Sequence, residues 1–204
     1  MPPAQSYSSA VYLVLYIGLG YEIGSIPFGY LAGMAKGVDI REKGSGNIGT
    51  TNTIRILGWK IGSLVFIADT AKGAIPLLLF EILGAASENL PLAVGIAAIL
   101  GHNYSCFLRF KGGKGIATTA GVLIVWAPVA LGIALATWLI ALGLTRTVAV
   151  ASVSAATILP LAMWVAKPTP TAIGIAIFIA AMAAHRHRSI FIRQPVEEIG
   201  RAHV

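Results

Sequence analysis

Six long apolar runs order the chain, at roughly 9–32, 61–83, 90–108, 116–144, 148–166 and 170–184. Each exceeds an ordinary strand and approaches the length of helix that crosses a hydrocarbon core of about 30 Å. The fourth is 29 residues long and as one helix would rise about 43 Å. Trp126-Ala127-Pro128 lies inside it, and proline starts a helix more readily than it continues one. Cutting there predicts seven spans; leaving the run whole predicts six. The half-run 116–126 is short for a span and is expected to recruit residues from 112 onward.

Charge chooses between the two counts. Lys36, Arg41, Lys43, Arg55 and Lys60 surround the first loop, and Arg109, Lys111 and Lys114 the loop after the third run. Arg146 precedes the sixth span, and Arg186, Arg188, Arg193 and Arg201 end the chain. With seven spans and the N-terminus outside, all thirteen are cytoplasmic and only Lys167 faces out, Lys72 lying within a helix. Six spans would put Arg146 and the arginine-rich tail outside, against the positive-inside bias. Ser87-Glu88-Asn89-Leu90-Pro91 and Lys167-Pro168-Thr169-Pro170 then read as short external turns.

Composition agrees with this pattern. Hydrophobic residues make up 56% of the 204 and charged residues 11%, against about 25% charged in soluble domains. Mean hydropathy is +0.80, and the 23 glycines suit helices packed closely in lipid. The expected fold is an all-α polytopic membrane helical bundle of seven transmembrane helices, C-terminus cytoplasmic, forming one domain over 1–204. A soluble α/β fold is excluded. The first run lacks a basic leading region and is too long for a cleaved signal, so it is expected to be a permanent span. Cys106 is the only cysteine, which rules out an internal disulfide and a cysteine zinc cluster. With no carboxylate cluster either, neither metal nor cofactor is expected. The net charge of +7 is in part a topology signal, and no nucleic-acid partner is expected.

Topology does not explain the glycines, serines and asparagines interleaved with the basic residues. The first such constellation is Gly44-Ser45-Gly46-Asn47-Ile48-Gly49-Thr50-Thr51-Asn52, followed by Arg55. Glycines allow positive φ and close approach of backbone to a ligand. Arg55 offers a bidentate fork for a phosphate. The glycines formally match G-x-G-x-x-G, but no strand precedes them, so a dinucleotide fingerprint is rejected. The plain alternative is an interhelical loop with Asn47 or Thr50 capping a helix. The second is Gly101-His102-Asn103-Tyr104 with Phe110-Lys111-Gly112-Gly113-Lys114-Gly115. Successive N–H groups at 112 and 113, at least one glycine having positive φ, would make an anion nest flanked by two lysines. The next span begins just beyond, its N-terminal dipole aimed at the same place. Gly115 stands where a Walker A loop needs Ser or Thr, so a P-loop is rejected. The third is His185-Arg186-His187-Arg188, an interfacial cationic anchor or a group able to take a proton near neutrality. Glu22, Asp69 and Lys72 are costly in a membrane unless paired. Asp69 and Lys72 are three apart and can meet on one helix face, as a structural pair or as support for a site.

Together, Ser45 to Asn52 with Arg55, Gly101-His102 with the run 110–115, and Arg186-His187-Arg188 resemble the three motifs of the bacterial acyl-phosphate:glycerol-3-phosphate acyltransferase family. The resemblance runs from about Gly24 to Arg193, and the first two motifs are highly specific. It implies a seven-helix enzyme that acylates the sn-1 hydroxyl of glycerol 3-phosphate from acyl phosphate, giving lysophosphatidic acid for phospholipid synthesis. The chain is expected to be a multi-pass inner-membrane protein with a cytoplasmic active site and membrane lipid around it, and a monomer, although the sequence itself does not specify oligomeric state. The chain departs from the family at Ser189-Ile190, where asparagine is usual, at Thr50 for alanine, Ser105 for proline, Arg109 for glycine and Ala149 for serine. Ser152 is the hydroxyl that survives beside Ala149.

An acyl phosphate is already activated, so the protein's task is to hold two anions in reacting contact and offset their repulsion. Arg55, Lys111, Lys114 and Arg188 supply the charge. N–H groups at 45–47 and 112–115 are expected to stabilise the developing oxyanion. His187 and His102 are the candidate bases, with the substrate's own phosphate as a third acceptor implied by the resemblance. The candidate catalytic set is His187, His102 and Ser45. The candidate binding set is Ser45, Gly46, Asn47, Thr51, Asn52, Arg55, Lys111, Gly112, Gly113, Lys114, Gly115, Ser152 and Arg188. The rival from another class is a transporter or channel for a phosphate-bearing anion, supported by charge at Asp69 and Lys72 but by no inverted repeat. A scaffold binding anionic lipid would explain the lysines and leave the glycine-rich loops unexplained.

Overall fold

The computed structural model describes residues 4–82 and 90–192. Residues 87–89 of the first predicted external turn, and Arg193 and Arg201 of the basic tail, lie outside them. The described residues contain helices and no strand. In chain order the helices are α1 (Ala4–Ser25), α2 (Phe28–Met34), α3 (Thr50–Leu57), α4 (Trp59–Ile82), α5 (Leu90–Asn103), α6 (Ile116–Trp126), α7 (Pro128–Thr145), α8 (Val148–Ala166) and α9 (Pro170–Ile192), with single 3-10 turns at Ile40–Glu42 and Cys106–Leu108. Among the described residues, four stretches are long and apolar enough to cross a membrane: Trp59–Phe80, Pro91–Leu108, Pro128–Thr145 and Val148–Ala166.

Proline punctuates these runs as its chemistry dictates. Pro128 opens α7 two residues after α6 ends at Trp126, so the fourth apolar run is two helices. The expectation that α6 recruits residues from 112 is not met. Gly115, with φ 78°, caps α6, and the helix starts at Ile116. The preceding glycines are held elsewhere: Gly112 N–H donates to Asn103 O at 3.1 Å and Gly113 N–H to His102 O at 2.9 Å. The 11 residues of α6 therefore rise only about 16 Å. The first run is also divided. Pro27 cannot donate to the preceding turn, so α1 ends at Ser25 and the short α2 follows.

The chain forms two compact units with the boundary between Leu131 and Gly132. In the first, α1 packs on α5, α4 on α6, and α3 on α4. Small residues set these approaches, as expected where lipid removes most of the hydrophobic drive and packing must supply it. Gly24 abuts the Ala98 backbone, and Gly101 abuts Tyr21 and Ser25 from the other side. Gly73 and Gly121 make the same reciprocal contact between α4 and α6. In the second unit α8 packs on α9, burying alanines 151, 156, 162, 172, 176 and 183 among Leu159, Met163 and Ile179.

Candidate functional site

The first loop is braced from within. Gly44 and Gly46 take φ 60° and 70°, left-handed values that glycine tolerates without a Cβ clash. Asn52, 2% exposed, accepts from Ser45 N–H at 2.9 Å and donates to Ile40 O and Lys43 O at 3.0 and 3.1 Å. These three bonds tie Asn52 into the shape of the loop. Asn47 Oδ1 accepts from Gly49 N–H at 2.9 Å, and Gly49 is the N-cap of α3 without a side-chain cap bond. Neither Asn47 nor Thr50 caps the helix, so the plain reading of this loop does not hold. Gly46 N–H donates to Lys43 O at 3.0 Å, and Asn47 N–H reaches Ser45 Oγ at 3.4 Å.

One face of α3 carries Asn52 and Ile56 inward; the other exposes Thr51 and Arg55, four apart and therefore neighbours on the helix surface. Ser45 is exposed as well. Arg41 is engaged differently: it forks onto Asp39 with contacts of 2.9, 3.1 and 2.5 Å and lies 4.4 Å from the Tyr30 ring centroid. The Arg41 hydrogen bonds hold the Asp39 carboxyl below its ordinary value. Arg55, by contrast, has no hydrogen-bond or ion-pair partner among the described residues.

The second loop runs back along the end of α5. The N–H groups of Gly112 and Gly113 are given to Asn103 O and His102 O, and neither glycine has positive φ. The anion nest expected from those two N–H groups is therefore not formed, and the N–H groups of 45–47 are likewise taken within their own loop. What the two glycines provide is closeness: a Cβ at Gly113 would collide with His102 Nε2, and one at Gly112 with His102 O. The first turn of α6 follows, and the N–H groups of such a turn lack intrahelical partners. Exposed Lys111 has no ion-pair partner among the described residues, and Lys114 is half-buried. Arg109 and Phe110, at φ 51° and 60°, turn the chain before the glycines.

The two loops meet over a common apolar floor of Ile40, Ile48 and Leu108, flanked by Tyr30, Val38, Ile56 and Leu57. Beneath them lies a buried polar group: Lys72 Nζ is 2.8 Å from Asp69 Oδ1 and donates to Ile26 O at 2.6 Å. His102 Nδ1 stands 3.7 Å from the same Asp69 oxygen. The pairing of Asp69 with Lys72 was visible in their spacing; the addition of His102 was not, because 33 positions separate it from Asp69. With these charges matched to each other, the transporter reading loses its main support. Ser105 donates its hydroxyl to Ser25 O at 2.6 Å.

The second unit carries the remaining predicted residues. Buried Ser152 accepts from Trp138 Nε1 at 3.3 Å. His187, 3% exposed, has Nδ1 2.8 Å from Ala183 O. A carbonyl only accepts, so Nδ1 carries a hydrogen. Exposed Arg188 approaches His185 Nε2 at 3.5 Å.

Known proteins match this chain along most of its length. The family model described as Glycerol-3-phosphate acyltransferase covers residues 14–194. A glycerol-3-phosphate acyltransferase of Desulforudis audaxviator (strain MP104C) is 48% identical over 184 residues, 89% of this chain and 91% of that protein. One from Geotalea daltonii is 44% identical over 176 residues, 86% and 90% of the two chains. The crystal structure of PlsY (YgiH), an integral membrane glycerol 3-phosphate acyltransferase, superposes in its glycerol 3-phosphate form with a TM-score of 0.82 at 39% identity, over 89% of this chain and 91% of that one. In sequence and in fold alike, this chain belongs to the glycerol-3-phosphate acyltransferase family and is a membrane enzyme.

Proposed function

We propose that the protein moves a fatty acyl group from acyl phosphate to the sn-1 hydroxyl of glycerol 3-phosphate at the cytoplasmic face of a bacterial inner membrane. It crosses that membrane seven times with its N-terminus outside and acts as a monomer. The observation that carries this reading is the pair Arg55 and Lys111. Both are exposed cations without partners among the described residues, on two loops that share the Ile40–Ile48–Leu108 floor. The PlsY relative, solved in glycerol 3-phosphate and lysophosphatidic acid forms, supports the acceptor and the product.

The hydroxyl oxygen attacks the acyl carbonyl carbon, forming the ester, and the bond from that carbon to the phosphate oxygen breaks. Inorganic phosphate leaves. No covalent acyl-enzyme is needed, so Ser45 serves as a hydroxyl ligand beside Gly46, Asn47 and Thr51. Arg55, Lys111 and Lys114 offset the repulsion between two phosphates, and Gly115 presents the first turn of α6 to one of them. The hydroxyl proton passes to a phosphate oxygen of the substrate, and His187 is the candidate protein base on sequence grounds alone. Ser152 and Arg188 are assigned to substrate by the resemblance alone.

The test is purified protein in detergent with glycerol 3-phosphate and either acyl phosphate or acyl thioester. Lysophosphatidate is expected from acyl phosphate; formation from the thioester alone would overturn the donor.

A further inference from the structure

We infer that Asp69, Lys72 and His102 form one buried positioning unit that sets the shape of the loop 111–115, and with it that loop's hold on a phosphate group. This rests on the proposed reading of the loop as phosphate-binding. All three side chains are 2–3% exposed. The contacts run in one line. Lys72 Nζ holds Ile26 O at the break before Pro27 and pairs with Asp69. Asp69 faces His102 Nδ1, and the far edge of that imidazole, at Nε2, lies against Gly113. The backbone repeats the attachment, since Gly113 N–H donates to His102 O and Gly112 N–H to Asn103 O.

Burying an ion pair seldom adds net stability compared with apolar side chains of the same volume, and its best-attested use is to fix one arrangement. Here the arrangement fixed is the loop. His102 is buried with Nδ1 3.7 Å from Asp69 Oδ1 and its Nε2 edge where a Gly113 β-carbon would stand, so it acts through the loop and not on the reacting atoms. That reassigns it from the catalytic set to a positioning role. It also gives Gly113 a reason beyond flexibility: any β-carbon there would push the imidazole off Asp69.

The experiment is a double-variant cycle in detergent with full titrations of acyl phosphate and glycerol 3-phosphate. His102→Ala should raise KM for one of the two phosphates about tenfold while kcat stays within about threefold, the signature of lost binding without lost chemistry. His102→Asn, which keeps a polar atom near Nδ1, should recover part of that loss. Gly113→Ala should be impaired alone, yet the double variant should be no worse than Gly113→Ala, because the methyl enters the space the ring vacates. Multiplicative effects would show that ring and loop do not act through their contact. A fall in kcat of about a hundredfold at unchanged KM would make His102 a chemical participant, and wild-type kinetics in His102→Ala would detach the unit from the loop; either sinks the inference. Should His102→Ala not purify as a monodisperse protein, the same criteria apply to His102→Asn. Inactive wild type would sink the proposed function instead, so the two failures are distinct.

Discussion

Gly121 of α6 rests on the carbonyl of Thr70 in α4, and a β-carbon at Gly121 would overlap that oxygen. Because the touching group is backbone, it cannot rotate away. Gly121→Leu should therefore cost about 1–3 kcal/mol through overpacking. A lower thermal midpoint in detergent is expected, while Gly143→Leu, with nothing within 4 Å of its would-be β-carbon, should leave the midpoint nearly unchanged. Equal effects at both positions would refute the close crossing.

Arg109 occupies the left-handed region at φ 51° and ψ 44°, where a β-carbon costs roughly 1–2 kcal/mol. Arg109→Gly is expected to stabilise the protein by about 0.5–1 kcal/mol, the relief of strain exceeding the added freedom of the unfolded chain. A reduced midpoint would mean the arginine side chain makes a contact worth more than the strain.

Arg55→Lys tests the phosphate fork without changing charge. Lysine cannot make two parallel N–H contacts to one phosphate, and a charge-assisted hydrogen bond is worth about 1.5–3 kcal/mol. kcat/KM should fall by roughly ten- to a hundredfold. Unaltered kinetics would remove Arg55 from the site.

The sidedness of the chain follows from its basic residues and is checked by cysteine labelling in intact cells. Cys106 is exposed, so Cys106→Ala is the background. An engineered cysteine at 167 should label from outside, and one at 146 should not. The reverse at either position would break the seven-span topology.

Much of this architecture was legible because the signals were local. Proline at 128 divides the long run where its missing donor requires, and the spacing of Asp69 and Lys72 puts their side chains on one helix face. Pro27 carried the same information as Pro128 but lay inside a run of acceptable length, so its break went unread. The loops were recognisable as polar and glycine-rich, yet the purpose of the glycines was misjudged. Whether an N–H faces a ligand or a neighbouring carbonyl depends on where the chain returns. Gly112 and Gly113 return onto the end of α5, nine residues and more from their partners' positions in sequence, and no local pattern reports that. The same blindness hid Asn52, whose three partners all belong to the loop it closes.

The placement of Asp69 and Lys72 on one helix also bears on how the protein is made. Two ionised side chains entering lipid separately would each impede insertion of α4. Three residues apart, they travel with their counter-ions already at hand, and the segment passes into the bilayer as a net-neutral unit at that level. The bonds to Ile26 and the approach of His102 then form only as neighbouring helices arrive. A charge that would otherwise delay biogenesis is neutralised by its own helix first and becomes an anchor for assembly afterwards.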